Sequence, residues 1–335
     1  MTAKKKSKYI EPFHKPLRIL FLGSGERGYH CLEKIDKIHD IVGIIMENDD
    51  TKNFQDDATY RYAMKNDIKV HKPISFKQGS AGYTILEDLQ PDIAVLCVYE
   101  KILPKDFINF FSFKGRKGCI NLHGGKVPQY RGASVLRWQL RNNEVEGAFT
   151  ILDVSGEIDD CDILGEYRYK ITREMTVNDV IKIEHKIFPQ LLVSVLYDIQ
   201  IGKVRRREQK GLACYWHKIQ EYDRQIDWKT MTADTIYDLV RSETKPYPGA
   251  FFYLNDIKTI HTMIDSTLKK VRVWDCELIK DKLFSGTPGR VVATYSDGSV
   301  VVICQDRGLM IKTVSTDGDK AILPARDMLK VRMQL

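Results

Sequence analysis

The chain has 335 residues, of which 43% are hydrophobic and 29% charged, and its net charge is +7. This composition is typical of a globular protein with one large and one smaller domain, and no apolar run approaches the ~18 residues of a membrane span. The seven cysteines are scattered and form no CxxC pair, which argues against a disulfide framework and against a zinc site.

The first 16 residues are predicted to form a solvated basic arm. Four lysines between residues 4 and 8 account for part of the net charge and leave +3 for the remainder. The arm lacks the apolar core of a secretory signal, and we therefore expect a cytoplasmic protein. A second basic cluster, KVRRREQK at 203–210, is harder to dismiss and keeps a nucleic-acid partner open.

Short apolar runs alternate with segments of helical spacing over the first 200 residues. Strands are predicted at 17–25, 40–48, 91–99, 117–123 and 147–154, and helices at 28–38, 56–66, 134–142 and 176–202. Thr176 and Asp179 have capping-box spacing at the start of the last helix. The alternation predicts an α/β domain with a mostly parallel sheet and helices on both faces.

The pattern changes beyond about residue 208. A short helix is predicted at 232–243, and strands follow it, with Ser296-Asp297-Gly298 as a hairpin turn. These strands predict a compact β barrel or a small sandwich. The predicted segments are a basic arm, a catalytic domain, a linker and a C-terminal β-rich domain, at residues 1–16, 17–203, 204–225 and 226–335.

The hexapeptide GSGERG at 23–28 matches the dinucleotide pattern GxGxxG, and Glu47 follows about 20 residues later. An NAD-dependent oxidoreductase is therefore one candidate. Any tight strand-to-helix turn also favours glycines, and such a loop could cradle another phosphate. An oxidoreductase further needs a catalytic group, and the C-terminal half offers only His217 and His261, neither in a recognisable setting.

The segment GCINLHGGKVPQYRGAS at 118–134 places an amide and an imidazole two residues apart at the end of an apolar run. Side chains at i and i+2 share one face of a strand, so Asn121 and His123 are predicted to stand together. Ligands bind at the carboxyl ends of strands in an open parallel sheet. A lone histidine is more often structural, but the neighbouring amide and the glycine-rich loop favour a functional pair.

Five acidic residues lie in DVSGEIDDCDIL at 153–164. A calcium loop is a rival interpretation, but its obligatory glycine is misplaced, and Leu164 stands where a bidentate glutamate is needed. A magnesium site stays open, although the glycine-bearing turn suits a substrate loop better, and we predict no metal. Asp159 or Asp160 is the candidate carboxylate to orient the imidazole.

An amide donor, an imidazole and a carboxylate suit acyl transfer to an amine without a covalent enzyme intermediate. The amide N–H stabilises the oxyanion that forms when an amine attacks a carbonyl. The imidazole, tuned by the acid, donates to that oxygen or moves the proton off the attacking nitrogen. No serine or cysteine stands in a nucleophile motif near this segment, which disfavours a ping-pong route.

These motifs resemble those of the 10-formyltetrahydrofolate-dependent formyltransferases. VYEKILPKDF (98–107) is similar to the family's folate-site strand, GCINLHGGKVPQYRGASVLRW (118–138) to its Asn-x-His strand, and SGEIDDCDIL (155–164) to its Gly-x-Asp-x-x-Asp-Ile-Leu element. IDW (226–228) and KPYPGAFFYL (245–254) resemble the entry to the C-terminal barrel of longer members. The resemblance implies a Rossmann-like catalytic domain followed by an OB-like barrel.

The resemblance also implies N10-formyltetrahydrofolate as co-substrate and a catalytic trio of Asn121, His123 and Asp159. The implied folate residues are Tyr99, Lys101, Ile102, Leu103, Asp153, Gly156, Glu157 and Ile158. The candidate acceptor-binding residues are Gly23, Gly25, Lys126, Tyr130, Arg131 and Arg137. The chain departs from the family where GGKVPQYRG follows the strand, and where Asp160 and Cys161 replace a small pair. These departures change the wall of the implied site.

Two kinds of formyltransferase share this implied layout and differ in the amine that they formylate. Methionyl-tRNA formyltransferases carry a long basic insertion after the second strand, where this chain has the acidic ENDDTKNFQDDATYRY (47–62). Sugar N-formyltransferases, which act on nucleotide-linked 4-amino-4-deoxy sugars, commonly lack the insertion, and many have a stretch resembling CYWHKIQEYDRQIDW (214–228). The resemblance therefore favours a nucleotide sugar, with methionyl-tRNA as the alternative because of the basic stretch at 203–210.

Other partners follow less directly from the sequence. A folate- or nucleotide-sensing module is a further alternative, which the complete Asn-His-Asp set disfavours because a sensor needs no oxyanion donor. We predict no membrane partner. A homodimer stays open, since the C-terminal barrel is a candidate surface for a second subunit or for an extra ligand.

Overall fold

The computed structural model describes residues 15–47, 54–113, 115–154, 159–260, 263–280, 283–317 and 321–335. Several sequence predictions lie outside these residues. They are the basic arm up to residue 14, the acidic stretch 48–53, and the folate candidates Gly156, Glu157 and Ile158.

The helices and strands of the described residues are numbered in chain order. The strands are β1 (Arg18–Gly23), β2 (Asp40–Ile45), β3 (Val70–His71), β4 (Ile93–Cys97), β5 (Cys119–His123), β6 (Arg131–Gly132), β7 (Glu146–Asp153), β8 (Ile163–Lys170), β9 (Tyr215–Trp216), β10 (Ala250–Ile260), β11 (Met263–Leu278), β12 (Val291–Thr294), β13 (Val300–Ile303), β14 (Gly308–Thr316) and β15 (Leu323–Pro324). The helices are α1 (Gly25–Ile35), α2 (Ala58–Lys65), α3 (Ala81–Leu89), α4 (Lys105–Ser112), α5 (Val135–Arg141), α6 (Val177–Gln200), α7 (Ala233–Glu243) and α8 (Ala325–Met328).

A seven-stranded sheet with the order β3-β2-β1-β4-β5-β7-β8 forms the first half of the protein. The pairs from β3 to β5 are parallel, and β7 is antiparallel to both β5 and β8. Ile19, Leu20, Phe21 and Leu22 of β1 are completely buried, so both faces of the central strand are covered. The predicted mostly parallel α/β sheet is confirmed.

The carboxyl ends of the parallel strands β1, β4 and β5 lie at one edge of this sheet. Register pairs Leu22 with Leu96 and Leu96 with Asn121 across the three strands. The loops that leave β4 and β5 therefore start side by side. This edge positions the segments that the sequence singled out.

The chain divides into two compact units that are not continuous in sequence. The first contains the residues up to Gly132, Glu146–Lys170 and Ile181–Trp216, and the second contains Ala133–Val145, Ile171–Val180 and His217–Leu335. Two segments of the predicted catalytic domain thus belong to the second unit. The predicted boundaries near residues 203 and 226 stay predictions.

An antiparallel sheet with the order β10-β11-β14-β13-β12 forms the second unit, and β15 pairs with β14. The predicted hairpin turn is present, since the Tyr295 N–H donates to the Ser299 carbonyl at 2.8 Å and Gly298 has a φ of +93°. The C-terminal antiparallel β domain is confirmed. The described pairings do not join β10 to β12, so closure into a barrel stays a prediction.

Helices α5 and α7 are joined by buried polar contacts within the second unit. Arg137 forms an ion pair with Glu243 at 3.0 Å. Arg241 of α7 donates to the Leu140 carbonyl of α5, also at 3.0 Å. Because Glu243 is completely buried, removal of the Arg137 side chain would leave an unpaired buried charge.

None of the helices in the described ranges combines the length and the apolar character that a bilayer crossing requires.

Helix α6 holds His185 beside two residues of helix α1. The rings of His185 and His30 have centroids 4.7 Å apart. Burial, followed by the influence of His30 and Arg27, lowers the pKa of His185 to about 4. The folded protein therefore favours the neutral ring.

We expect the free energy of unfolding to fall as the pH drops from 6.5 towards 4. The unfolded state takes up the proton of His185 first, near its ordinary pKa of 6.5, so this contribution is complete above that pH and is lost below it. His185→Gln should reduce the fall by about 1–2 kcal/mol, after allowance for solvent screening of a half-buried ring. Urea titrations of both proteins across this pH range measure the difference, and identical pH dependence would contradict it.

Candidate active site

The structure brings Asn121, His123 and Asp159 together in the first unit. The Asn121 side chain donates from Nδ2 to Oδ1 of Asp159 at 3.1 Å. His123 Nδ1 lies 3.3 Å from Oδ2 of the same carboxylate, and the two side chains are only 5% and 8% exposed. Residues 38 positions apart in the chain thus converge on one carboxylate. Their catalytic roles stay predictions.

Strand β5 places Asn121 and His123 on a common face. Ile120 and Leu122, which alternate with them, are buried in the apolar interior. The antiparallel neighbour β7 pairs its Thr150 with His123, and the Thr150 hydroxyl donates to the Gly125 carbonyl at 2.9 Å. The position of the loop after β5 is therefore fixed by β7.

The His123 ring is held at both nitrogens. Nε2 lies 2.5 Å from the Tyr130 carbonyl oxygen. Because a carbonyl accepts only, Nε2 carries the proton in this contact, and Asp159 faces Nδ1. A carboxylate at this place orients the ring.

Gly125 leaves room for this contact. A Cβ at this position would lie 2.5 Å from the Tyr130 carbonyl oxygen and 2.8 Å from His123 Nε2. Both atoms belong to the hydrogen bond that holds the ring. No side chain fits here without moving His123 or the loop.

Gly125→Ala is expected to lower activity and to destabilise the first unit by about 1–3 kcal/mol, the usual effect of overpacking. Thermal unfolding and steady-state kinetics of the purified variant measure the two effects. Gly286→Ala is the matched control, because a Cβ there would meet its nearest atom at 3.7 Å. Equal behaviour of the two variants would contradict the expectation.

Asp159 is fixed by contacts at both its side chain and its main chain. The Gly132 N–H donates to Oδ2 at 2.9 Å. Gln209 donates from Nε2 to the Asp159 carbonyl at 2.6 Å. The backbone of Asp159 is left-handed, with a φ of +52°, a conformation that is uncommon for residues with a Cβ and is adopted most readily by Asn and Asp. Sequence reasoning missed Gln209 and the Gly132 amide.

The arrangement can stabilise a developing oxyanion and handle a proton at one point. An asparagine NH₂ has two donors, so one can hold Asp159 while the other meets a carbonyl oxygen. The imidazole, held by its carboxylate, can take part in proton transfer. Within the described ranges, no group of three His, Cys, Asp or Glu side chains is placed to hold a metal ion.

The predicted folate residues after β4 lie at the same edge of the sheet. Tyr99 and Leu103 pack against the apolar core, whereas Lys101 and Ile102 are exposed. Burial, with a smaller effect of Glu47, raises the pKa of Tyr99 to about 12, so its hydroxyl stays neutral. Their roles in folate binding stay predictions.

The start of this loop is strained. Val98 has a φ of +61°, a conformation that is an outlier for a β-branched residue. Strain of this kind is often found at ligand sites, where the surrounding structure maintains it. The observation supports a functional role for the loop.

Asp153, the other described folate candidate, ends strand β7. Its carboxylate forms an ion pair with Arg206 and accepts from the Val154 N–H at 3.1 Å. Arg206 belongs to the basic stretch 203–210. The Asp153 carboxylate therefore pairs with one cationic side chain of that stretch, Arg206.

The GSGERG turn is explained by packing and by an internal carboxylate. A Cβ on Gly23 would clash with the Cys97 carbonyl. The N–H of Gly25, which has a φ of +74°, donates to Asp57 at 2.7 Å. Asp57 thus occupies the start of α1, where a dinucleotide phosphate would bind. This disfavours the NAD alternative, and acceptor roles for Gly23 and Gly25 stay predictions.

Two acceptor candidates lie in the loop after β5. Lys126 forms an ion pair with Glu146 at 2.9 Å and keeps 29% of its side chain exposed. Tyr130 is buried and stacks on Trp216, with ring centroids 5.6 Å apart. Tyr130 therefore shapes the loop, and Lys126 retains access to solvent.

The two arginine candidates are engaged by protein groups. Arg131 is 5% exposed and contacts Asp160 and Gln209. Arg137 lies in the second unit, where it pairs with Glu243. Both guanidinium groups thus pair with carboxylates of the protein, and acceptor roles for Arg131 and Arg137 stay predictions.

Two solved structures share the fold. HypX from Aquifex aeolicus, in a variant form, is 16% identical with a TM-score of 0.62; the match covers 94% of this chain and 49% of HypX, so the chain spans about half of HypX. The N-formyltransferase from Helicobacter canadensis, solved with folinic acid and dTDP-3-aminofucose, is 18% identical with a TM-score of 0.62 over 88% of this chain and 98% of its own. At these identities, the likeness bears on the fold alone.

Similarity in sequence extends over nearly the whole chain. The methionyl-tRNA formyltransferase of Ruminiclostridium cellulolyticum is 27% identical over 321 residues, which cover 94% of this chain and 96% of that protein. The model of the formyl transferase family matches residues 17–196, and the model of the formyl transferase C-terminal domain matches residues 218–332. The first match alone covers more than half of the chain. The chain therefore belongs to the formyl transferase family.

Proposed function

We propose that the protein transfers a formyl group from N10-formyltetrahydrofolate to the amine of a nucleotide-linked amino sugar, such as a 4-amino-4-deoxy sugar. The transfer itself is supported by the convergence of Asn121, His123 and Asp159 at one carboxylate. An amide donor beside an imidazole is what direct attack of an amine on a formyl carbon requires.

Each residue has a distinct task in the proposed reaction. Asn121 donates its second amide hydrogen to the formyl oxygen as that oxygen gains negative charge. His123 takes the proton lost by the attacking amine at Nδ1, the nitrogen that carries none while Nε2 donates to the Tyr130 carbonyl, and Asp159 keeps the ring oriented. As the bond between the formyl carbon and N10 breaks, the ring passes this proton to N10 of the departing tetrahydrofolate. The exposed loop around Lys101 provides main-chain groups for the folate donor.

The choice of a sugar acceptor rests chiefly on how the basic stretch 203–210 is paired. Arg206 contacts Asp153, and Arg207 contacts Glu166. The Arg207 main chain also exchanges hydrogen bonds of 2.8 and 3.0 Å with Ile163. A surface that binds RNA needs cations that are available to phosphates, whereas these charges are offset by carboxylates of the same unit.

Methionyl-tRNA is the second candidate acceptor. The curated relative that is 27% identical carries the name of a methionyl-tRNA formyltransferase. Arg205, Lys203 and Lys210 of the basic stretch are exposed. This candidate predicts formylation that weakens steeply as salt is raised.

An acceptor screen tests the proposal. The enzyme is incubated with N10-formyltetrahydrofolate and, separately, with nucleotide-linked 3-amino and 4-amino sugars or with methionyl-tRNA, and the release of tetrahydrofolate is measured. We expect release with at least one nucleotide sugar. Release with methionyl-tRNA alone would overturn the sugar acceptor, and release with none of these amines would overturn the proposed function.

A further inference from the structure

Gln209 connects three segments of the first unit at the catalytic turn. Its Nε2 donates to the Asp159 carbonyl at 2.6 Å and to the Cys161 carbonyl at 2.7 Å. Its Oε1 accepts from Nε of Arg131 at 3.0 Å. All three hydrogen-bonding groups of one side chain are thus placed around the turn that carries Asp159.

The orientation of the Gln209 amide is determined by these partners. Two carbonyl oxygens can only accept, and the Arg131 guanidinium can only donate, so the NH₂ group must face the turn. Arg131 is itself fixed, because it also donates to the Tyr215 hydroxyl at 2.6 Å and pairs with Asp160. A reversed amide would lose all three hydrogen bonds.

The same network reaches Asp159 from its other side. Gly132, next to Arg131 in β6, donates its N–H to the Asp159 carboxylate at 2.9 Å. Strand β6 pairs with β9, in which Tyr215 follows Gln209 by six residues. The short segment 209–216 therefore supports Asp159 in two ways. Gln209 binds its main-chain carbonyl, and strand β9 pairs with β6, whose Gly132 N–H binds its carboxylate.

We propose that Gln209 is a positioning residue for formyl transfer, which acts by holding Asp159 in its left-handed backbone conformation. This inference rests on the proposed function of Asn121, His123 and Asp159. Release of the two carbonyl contacts removes this restraint on the turn, so that the carboxylate is no longer held beside His123. Gln209 touches no reacting atom.

The Gln209→Glu variant tests the contribution of the two N–H donors of Gln209 apart from the packing of its side chain. Glutamate has the same shape and keeps an oxygen for Arg131, but it removes both N–H groups and presents an acceptor to two carbonyls. We expect kcat to fall by about 10- to 100-fold, as for a misplaced catalytic group, with the KM for N10-formyltetrahydrofolate nearly unchanged. Gln209→Met, which is of similar length, neutral and without donors, should behave alike and carries the test if the glutamate variant is unstable.

The Gly132 amide provides a readout that does not depend on activity. Its hydrogen exchange should become faster in both variants, because Asp159 no longer stays in place to accept from it. Glu208→Ala, an exposed neighbour in the same segment, is the matched control and should leave both kcat and the exchange rate as in the wild type.

The two measurements separate failure of this inference from failure of the proposed function. If the wild type formylates an amine and both variants retain its kcat and its Gly132 protection, the positioning role of Gln209 is overturned. If the wild type formylates no amine, the proposed function fails, and unchanged Gly132 exchange in the variants would independently reject the role of Gln209 at the turn.

Discussion

Asn121→Ala is expected to lower kcat for formyl transfer by about 10²–10³-fold, the effect of removing one oxyanion donor. The Asn121 amide holds Asp159 with one hydrogen and has the other available to the formyl oxygen. Since this oxygen gains its charge only as the amine attacks, the loss should appear in kcat. Folate binding, measured by titration with a formyl-donor analogue, should stay close to that of the wild type.

Two further variants sharpen this test. Asn121→Asp keeps the shape but replaces the donor with a second carboxylate beside Asp159, and it should be at least as inactive as the alanine variant. Asn178→Ala, on the exposed side of α6, should retain full activity. A loss of only a few fold in the Asn121 variants would mean that another group stabilises the oxyanion.

His123→Ala is expected to lower kcat by about 10²–10⁴-fold, the range for loss of a general acid–base group. The ring is placed between the Asp159 carboxylate at 3.3 Å and the Tyr130 carbonyl at 2.5 Å, which leaves it one orientation. Steady-state kinetics with a saturating formyl donor measure the loss, and added imidazole should restore part of the rate by entering the vacated space.

His217→Ala is the matched histidine control, since this ring is 56% exposed and pairs with Asp223 in the second unit. It should keep the wild-type kcat. If His123→Ala were comparably active, the proton of the attacking amine would have to leave by another route, and the assignment of His123 would be wrong.

The fold could be predicted where strands are buried on both faces. Strands β1 and β4 read as short apolar runs because parallel strands in a covered sheet have no polar side. Strand β8 was not predicted. It lies at the end of the sheet, and its Glu166, Arg168 and Lys170 interrupt any apolar run. Edge strands of this kind lack the signal on which the prediction depends.

From the sequence, only those parts of the candidate site that consist of characteristic side chains could be predicted. The spacing of Asn121 and His123 pointed to one strand face, and the acidic turn pointed to Asp159. The Tyr130 carbonyl and the Gly132 N–H carry no such signature, because every residue has these groups. Gln209 lies in the basic stretch 203–210, which stands out for its charges and not for this amide, and its partner Arg131 is 78 positions away.

The charge of the basic stretch illustrates the same limit. From the sequence, three consecutive arginines suggest an exposed cationic surface. In the structure, Arg206 and Arg207 meet acidic residues of β7 and β8. Pairing across a fold depends on register and strand order, which composition does not contain.

The interleaving of the two units has a practical consequence for dissecting the protein. A fragment that stops near residue 203 keeps helix α5 but loses α7, so Arg137 and Leu140 forfeit Glu243 and Arg241. The complementary fragment begins after both segments that its own unit needs from upstream. Neither half of a cut at the apparent linker therefore keeps all the segments of its own unit.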